Sequence, residues 1–542
     1  MIIRYPDEIK LFLDVDGGIS FTGYSTYEEI SHNDVKLNLN YSHGDIHVSL
    51  TADTTPVYHI RFRWNFTARE RFNKVKVMGD AWERSYGELE WRGIVPHRFM
   101  PWYMIESEGS EEIGTYTESE KVVRCYGVGV RPGAMCTWQR DSNGMTLWMD
   151  VRCGGDGVIL NSRTLDVCRI IFRTYRETTV FEAAKKFCSE MCKDPLLPSH
   201  KVYGSNNWYY AVGDSSHSQI LRDTDLIARL TEGVENRPYM VVDDGWQKNP
   251  CDGPWEPNEK FPDMARLASE IKSRGVRPGI WLRPLLNSTL DGVTEEMCIE
   301  GYPGRLDPSV PETLEYIKNT IKKVTSWGYE LIKHDFTHFD LFNANGFDNP
   351  MFVTDNGWHF RDRSRTSAEI ALDLYRAILD AAGDAVILAC ATPSHLTAGL
   401  AHLMRTGFDT SGRHFERTRI SGVNTLVFRL PQNGNFYMVD ADCYCHTGKI
   451  DWSLNREWLR LLADSGTTLF VSVDPDQVND EEFAEIRRAL IRNATDDIEM
   501  IPVDWMDNVN PEIYTVNGER KFYKWYSEEG TRQFIPPTYK QY

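Results

Sequence analysis

Apolar and polar residues alternate one by one through about the first 180 residues. Runs such as 35–41, 57–64 and 145–151 place every second side chain on one face. Alternation of this kind is typical of strands with one face on a core and the other in solvent. It predicts an antiparallel β-sandwich over residues 1–180. Apolar residues at helical spacing and a Pro-containing stretch then predict a helical linker over 181–200.

Beyond residue 200 the period changes to a repeating unit of amphipathic helix, glycine and short apolar strand. Gly275, Gly328 and Gly383 each end a helical pattern and precede an apolar run, and they lie 53 and 55 residues apart. Helices that alternate with strands indicate a parallel sheet with helices packed on it.

Eight apolar runs in this region are candidate strands: 202–208, 239–243, 276–282, 331–336, 386–390, 402–406, 436–440 and 468–473. Eight is the strand number of a (β/α)8 TIM barrel. A doubly wound sheet is the rival, but it usually has a glycine-rich turn after its first strand, where this chain has Asn206-Asn-Trp-Tyr-Tyr210. The predicted fold class is therefore α/β, a (β/α)8 TIM barrel over 201–495. Renewed alternation and the turn signal Val516-Asn-Gly518 predict a small C-terminal β-domain over 496–542.

Composition narrows the classes of function. The 542 residues carry a formal charge of −19, which opposes binding to nucleic acid. No apolar run approaches the roughly 20 residues of a membrane span, and the N-terminus lacks the features of a signal peptide, so we expect no membrane partner and a cytoplasmic location. The eleven cysteines lack zinc-site spacing, and we expect neither a metal nor an organic cofactor. A homo-oligomer stays open.

Ionisable and aromatic residues cluster where the predicted barrel strands end. In a TIM barrel those ends face the active site, and a purely structural barrel would not need carboxylates there, because they are costly to bury unpaired. The strand-end residues are Trp208, Asp243, Asp244, Trp281, Arg283, Lys333, Asp335, Arg405, Asp409 and Asp442.

Several aspartates around one barrel mouth suit the cleavage of a glycosidic bond. A retaining mechanism needs a nucleophilic carboxylate and a proton donor about 5 to 5.5 Å apart. Lys333 lies two residues before Asp335, on the same strand face, and would keep that nucleophile ionised. Asp409 lies on a loop, where an acid can reach the leaving oxygen. Asp243 and Asp244 could accept hydrogen bonds from sugar hydroxyls, and Trp208 or Trp281 could cover a sugar ring. For each aspartate the alternative is a structural cap, turn or ion pair.

The motifs Val242-Asp-Asp-Gly-Trp246, Gly253-Pro-Trp255 and Val276-Arg-Pro-Gly-Ile-Trp-Leu282 resemble the barrel of family 36 α-galactosidases and their clan with family 27. The resemblance covers about residues 202–475. It implies that Asp335, in Lys333-His-Asp335, is the nucleophile and that Asp409, four residues after Arg405, is the acid/base. It also implies sugar-binding roles for Asp243, Asp244, Lys333, Arg405 and Asp442.

Two departures from the family pattern bear on the substrate. Where family members carry a Cys and a glycine-rich loop, this chain has Cys390-Ala-Thr-Pro-Ser-His395, so Cys390 is expected in an altered pocket wall. Where they commonly have Trp-x-Glu-Pro, it has Trp281-Leu-Arg-Pro284, which replaces an acceptor by a donor at Arg283. An altered or acidic sugar is compatible with Arg283.

We therefore expect a retaining exo-acting α-glycosidase, α-galactosidase-like, with an oligosaccharide or glycoside as substrate. Other α-hexosidase, β-arabinopyranosidase and transglycosidase specificities remain alternatives. The rival from a different class is a carbohydrate-binding or regulatory protein on a degenerate glycosidase barrel.

Overall fold

The N-terminal third of the chain forms two antiparallel sheets. The computed structural model describes residues 5–14, 17–22, 29–67, 75–108 and 122–531. The strands of this region are β1 Glu8–Phe12, β2 Gly18–Thr22, β3 Glu29–His32, β4 Val35–Ser42, β5 Asp45–Thr51, β6 His59–Asn65, β7 Val75–Gly79, β8 Phe99–Pro101, β9 Tyr103–Glu108, β10 Val122–Val128, β11 Met135–Asp141, β12 Gly144–Asp150 and β13 Thr164–Arg176. Their orders are β2-β1-β6-β12-β11-β8 and β3-β4-β5-β13-β10-β9-β7.

Side chains of the two sheets meet in a shared apolar layer. The Trp64 ring of β6 lies 5.2 Å from the Phe172 ring of β13, edge to face. On β4, Val35, Leu37 and Leu39 are buried while the residues between them are exposed or half-buried. The predicted one-by-one alternation is confirmed there, because every second side chain enters the layer.

Twelve α-helices lie among the described residues that follow β13. They are α1 Val180–Met191, α2 Trp208–Ala211, α3 His217–Leu230, α4 Met264–Ser273, α5 Pro311–Ser326, α6 Thr337–Phe342, α7 Ser367–Ala382, α8 Ser394–Thr397, α9 Phe415–Thr418, α10 Thr425–Arg429, α11 Trp452–Asp464 and α12 Asp480–Thr495. The 3-10 turns Glu295–Met297, Gly346–Asp348 and Leu430–Gln432 and the π-helical turn Arg419–Asn424 lie between them. Within the described ranges, no helix is long and apolar enough to cross a membrane.

Nine strands form a curled parallel sheet between these helices. In chain order the strands after residue 200 are β14 Tyr203–Asn206, β15 Tyr239–Val242, the hairpin β16 Gln247–Asn249 and β17 Asp252–Pro257, β18 Arg277–Leu282, β19 Leu331–His334, β20 Val386–Ala389, β21 Leu403–Arg405, β22 Met438–Asp440, β23 Tyr444–His446 and β24 Leu469–Val473. The sheet order is β22-β21-β20-β19-β18-β15-β14-β24-β23. All eight predicted strands are present in it, with ends that differ by at most two residues.

The two ends of this sheet approach each other. The Thr468 amide donates a hydrogen bond to the Val439 carbonyl at 3.0 Å, and a parallel bridge joins Asp440 to Thr468. This contact connects the end of β22 to the start of β24, so the carboxyl ends of the strands face a common mouth.

A three-stranded antiparallel sheet follows α12. It consists of β25 Met500–Pro502, β26 Ile513–Val516 and β27 Glu519–Phe522. Asn517 and Gly518 connect β26 to β27 with φ values of 48° and 82°, which confirms the predicted Asn-Gly turn. The predicted domain boundaries at residues 180, 200 and 495 stay predictions, and residues 532–542 of the predicted C-terminal domain lie outside the described residues.

Candidate active site

Asp335 follows β19 at the mouth of the parallel sheet and is held by two donors. The Trp281 indole donates to Oδ2 at 3.2 Å, and the Phe336 amide donates to Oδ1 at 2.7 Å. Phe336 adopts a left-handed φ of 63°, which turns the chain sharply after the carboxylate. A buried carboxylate with two fixed donors is suited to act in one orientation.

Nearby cations keep Asp335 ionised. Burial favours the neutral carboxyl, but the positive charges of Arg84 and then Lys333 outweigh it, so the pKa of Asp335 lies below its ordinary value. Lys333 itself donates to Asp243 rather than to Asp335, at 2.8 Å. Burial opposes the charge of this ammonium group, but the negative charges around it, that of Asp243 first, together raise the pKa of Lys333.

Asp243 is the centre of a buried network. Besides Lys333, its Oδ2 accepts from the Asn206 amide at 2.6 Å, and its Oδ1 accepts from the Asp244 backbone amide at 2.9 Å. Asp244 accepts from the Cys251 amide at 2.8 Å through Oδ1, and burial raises the pKa of its carboxyl. Asp243 therefore positions Lys333, whereas Asp244 keeps its second oxygen for another donor.

Asp409 lies on the loop after β21, beside three arginines. Its Oδ1 is 3.1 Å from Arg405 Nη2 and 3.5 Å from Arg84 Nη1, and Arg417 donates to its carbonyl at 2.8 Å. Its side chain is 29% exposed, against 7% for the whole of Asp335, so the carboxylate can meet a ligand. Burial opposes ionisation, but Arg84 and Arg405 dominate and lower the pKa of Asp409 to about 2.

Asp442 is part of the internal support of this loop. Its Oδ2 accepts from the Thr410 amide at 2.8 Å, from the Thr410 hydroxyl at 3.0 Å and from the Tyr209 hydroxyl, and it lies 2.9 Å from Arg405 Nη2. Arg405 thus bridges Asp442 to Asp409. The predicted sugar-binding roles of Arg405 and Asp442 stay predictions, and their ion pairs also hold Asp409 in place.

Arg84, from the N-terminal third of the chain, enters the site between Asp335 and Asp409. Its guanidinium lies 3.6 Å from the Cys390 sulfur and 5.1 Å from the centre of the Phe408 ring, and the residue is 3% exposed. Sequence reasoning missed this residue. The pair Glu83-Arg84 between Trp82 and Tyr86 interrupts the alternating pattern, and that was its only signal.

Backbone and side-chain contacts fix the segment that carries Arg84. The Ser85 amide donates to the Thr406 carbonyl at 2.8 Å, and the Phe408 amide donates to the Ser85 carbonyl at 2.7 Å. Arg429 lies below the segment and donates to Asp80 at 2.9 Å. The same loop that holds Asp409 therefore also holds Arg84.

The other predicted site residues differ in what they can offer a ligand. Arg283 forms a two-point ion pair with Asp340 at 2.6 and 3.0 Å, so its guanidinium is already matched by a buried carboxylate. Cys390 is buried and lies 3.8 Å from Arg405, and burial raises the pKa of its thiol. Trp208 begins α2 and is half-buried, which leaves part of its ring exposed.

Metal ligands do not gather at this mouth. Among the described residues, no group of three His, Cys, Asp or Glu side chains is arranged to hold a metal ion. The expectation that the reaction needs no metal or organic cofactor stays a prediction.

Comparison with solved structures identifies similar folds, although no family model and no curated protein matches the chain. The α-galactosidase of Thermus thermophilus in complex with p-nitrophenyl α-D-galactopyranoside has a TM-score of 0.60 and 18% identity, over 90% of this chain and 96% of that one. A family 36 α-galactosidase of Geobacillus stearothermophilus in complex with 1-deoxygalactonojirimycin has a TM-score of 0.58 and 13% identity, over 89% and 70%.

A third similar structure is the α-galactosidase of Lactobacillus brevis, with a TM-score of 0.57 and 12% identity over 89% of this chain and 69% of that one. The similarity extends over the N-terminal sheets as well as the parallel sheet, because it covers most of the chain. The chain therefore has the fold of family 36 α-galactosidases, at sequence identities of 12–18%.

Proposed function

We propose that this protein is a retaining, exo-acting α-glycosidase of α-galactosidase-like type. The observation that supports it best is the pairing of Asp335 and Asp409 at one sheet mouth, the first buried and held ionised, the second more exposed on a loop. We also propose that the parallel sheet is a closed (β/α)8 barrel, which the contact between Thr468 and Val439 supports.

In the first step Asp335 attacks the anomeric carbon of the bound sugar. The bond from that carbon to the leaving oxygen breaks, and Asp409 gives its proton to that oxygen, which yields a covalent glycosyl ester on Asp335. Trp281 and the Phe336 amide hold the attacking carboxylate in place, and Lys333 and Arg84 keep it charged.

In the second step Asp409, now ionised, takes a proton from water while the water oxygen attacks the anomeric carbon. The ester bond breaks, Asp335 recovers its negative charge, and the sugar leaves with its original configuration. The neighbouring arginines keep Asp409 ionised, so its carboxylate is in the charge state that this step needs. For the first step its carboxyl must gain a proton, which requires a bound substrate to weaken the effect of Arg84 or Arg405.

Asp335→Ala tests the nucleophile. We expect turnover of p-nitrophenyl α-D-galactopyranoside to fall by at least about 10⁴-fold, and added azide to restore part of it by attacking the anomeric carbon in place of the carboxylate. Asp380→Ala is the matched control, because Asp380 is an exposed residue on α7. Unchanged activity in Asp335→Ala would remove Asp335 from the mechanism.

The strong ionisation of Asp409 favours one second candidate, a protein that binds sugars without cleaving them. A panel of aryl α-glycosides separates the two: sugar binding without release of p-nitrophenol supports the binding protein. Within the enzyme class, the same panel separates α-galactosidase, other α-hexosidase and β-arabinopyranosidase specificities. Product analysis with an added alcohol acceptor detects transglycosylation.

A further inference from the structure

Arg84 is a buried cation whose hydrogen-bonding capacity is largely unused. Its Nε has no hydrogen-bond partner among the described residues, and it lies 3.9 Å from Glu83 Oε2. Its Nη1 reaches Asp409 at 3.5 Å and the Cys390 sulfur at 3.6 Å. Charge-assisted hydrogen bonds between nitrogen and oxygen are normally about 2.7–2.9 Å long, so these contacts are loose.

Two of the three carboxylates around Arg84 have closer partners, and the third, Glu83, has an unbonded Oε2 at 3.9 Å from Nε. Asp335 accepts from Trp281 and the Phe336 amide, and Asp409 lies closer to Arg405 than to Arg84. Glu83 accepts from the Gly346 amide at 3.0 Å, and burial raises the pKa of its carboxyl to about 7. Burial removes the hydration of this guanidinium, but the charges around it, those of Asp409 and Asp335 among them, together outweigh that cost and raise the pKa of Arg84. The site therefore holds a stable cation that has no short hydrogen bond to a carboxylate.

Two aromatic rings and the backbone of the next residue fix the position of the Arg84 guanidinium beside the two carboxylates. The rings of Tyr86 and Phe408 stack at 4.6 Å, and the guanidinium lies over the Phe408 ring at 5.1 Å. The segment is bonded through Ser85 to the loop that carries Asp409. A fixed donor group with open geometry between the two proposed catalytic carboxylates is therefore available to a ligand.

We propose that Arg84 recognises an oxyanion on the substrate, so that the preferred substrate is an α-linked acidic sugar rather than a neutral one. This inference rests on the proposed glycosidase function. An oxyanion supplied by the substrate would bring Arg84 the close acceptor that the protein does not provide. The bound oxyanion would also offset the positive charge of Arg84 beside Asp409. This raises the pKa of Asp409 and so favours the protonated acid that the first step needs.

Arg84, rather than Arg283, is thus the residue that we expect to bind an acidic group of the sugar. Arg283 forms short hydrogen bonds to the Asp340 carboxylate. For Arg84, no carboxylate oxygen among the described residues lies closer than 3.5 Å to a guanidinium nitrogen. Two sources can supply the oxyanion, a uronic acid carboxylate and a sugar sulfate. The planar carboxylate and the tetrahedral sulfate are both negatively charged, and both present several acceptor oxygens that a guanidinium can bind.

The test compares kcat/KM for p-nitrophenyl α-glycosides in three forms: neutral, uronate, and 6-sulfate, each as the galacto and gluco epimers. We expect at least one anionic form to exceed its neutral counterpart by about tenfold or more. In Arg84→Met this ratio should fall by about 10- to 100-fold, and in Arg84→Lys by less. Arg92→Met, at an exposed arginine of the same region, should leave the ratio unchanged.

The outcomes separate this inference from the proposed function. If the wild-type protein cleaves neutral glycosides at least as well as the anionic ones, the acidic-sugar inference is wrong and the glycosidase function stands. If Arg84→Met lowers both rates equally, Arg84 is only a counter-ion of the two carboxylates. Because Arg84→Met could fail to fold, its thermal unfolding is compared with the wild type.

Calorimetric binding of free sugars gives a measurement that does not depend on turnover. We expect wild-type protein to bind galacturonate or glucuronate at least about tenfold more tightly than the matching neutral hexose. Absence of cleavage in every form, combined with such binding, would overturn the glycosidase function and leave Arg84 as an anion-recognising residue. Equal binding of acidic and neutral sugars would overturn the assignment of Arg84.

Discussion

Single side chains at the sheet mouth divide into those that meet a ligand and those that hold others in place. The expected sugar ligand Asp243 accepts hydrogen bonds from the protein through both carboxylate oxygens, which leaves it little capacity for sugar hydroxyls. Asp442 accepts through Oδ2 and Asp244 through Oδ1, so each of them, like Asp409 and Arg84, retains capacity for a ligand. Sequence position alone could not separate the two groups, because both occur at strand ends and differ only in their partners.

Trp281 tests this division at one residue. It is 2% exposed, so its ring offers little surface to a sugar, and its indole donates to Asp335. We expect Trp281→Phe to lower kcat by about 10- to 100-fold with little change in KM, because a hydrogen bond to a charged group is lost. Trp148→Phe, which removes an indole bond to Gln139 far from the site, is the control. A raised KM with unchanged kcat would instead make Trp281 a sugar platform.

Among the helices and strands, those with a repeating apolar pattern could be predicted from the sequence. The eight strands and the helices α4, α5 and α7 follow from apolar periodicity, since a buried strand or helix face must be apolar. The short helix α6 after β19 was not predicted. Its Asp340 pairs with Arg283, and four-residue or six-residue helices have too few turns to show a period.

The segment that carries Arg84 shows what local pattern cannot supply. Its position depends on Arg429, about 350 residues later in the chain, and on the loop after β21. Charged residues in such a segment resemble an exposed turn when only neighbours in sequence are considered. The contact that buries them is non-local, so no periodicity within the N-terminal third reveals it.

Asp80→Ala tests how this segment is anchored. The Asp80 carboxylate pairs with buried Arg429 and also accepts from Gln432 at 2.8 Å. Removing it leaves Arg429 buried and unpaired, which should cost about 3–5 kcal/mol of unfolding free energy and lower kcat/KM by displacing Arg84. Urea unfolding and steady-state kinetics measure both effects. Asp80→Asn keeps an acceptor oxygen and should lose less, whereas a cost below about 1 kcal/mol in Asp80→Ala would show that the ion pair does not anchor the segment.

For the whole molecule, the N-terminal sheets and the parallel sheet share one contiguous core. His395, in the short helix α8 after β20, stacks on Trp102 at 5.3 Å, and its Nε2 donates to the Val128 carbonyl at 2.8 Å. The departure from the family pattern at Cys390–His395 therefore lies against the N-terminal sheets. Residues far apart in sequence, Arg84 and Asp409 among them, meet at the mouth, so the geometry of the candidate site depends on the integrity of both regions.

This shared core predicts that both regions unfold together. We expect hydrogen exchange in urea to give the same midpoint for peptides of β4 and β5 as for peptides of β18 and β19, because separating the regions would expose Trp102, His395 and the Asp80–Arg429 pair to solvent. His395→Ala, which removes the stacking and the bond to Val128, should separate the midpoints by destabilising the N-terminal sheets first. Different midpoints in the wild-type protein would mean that the N-terminal sheets form an independent unit, and Arg84 could then leave the site while the parallel sheet stays folded.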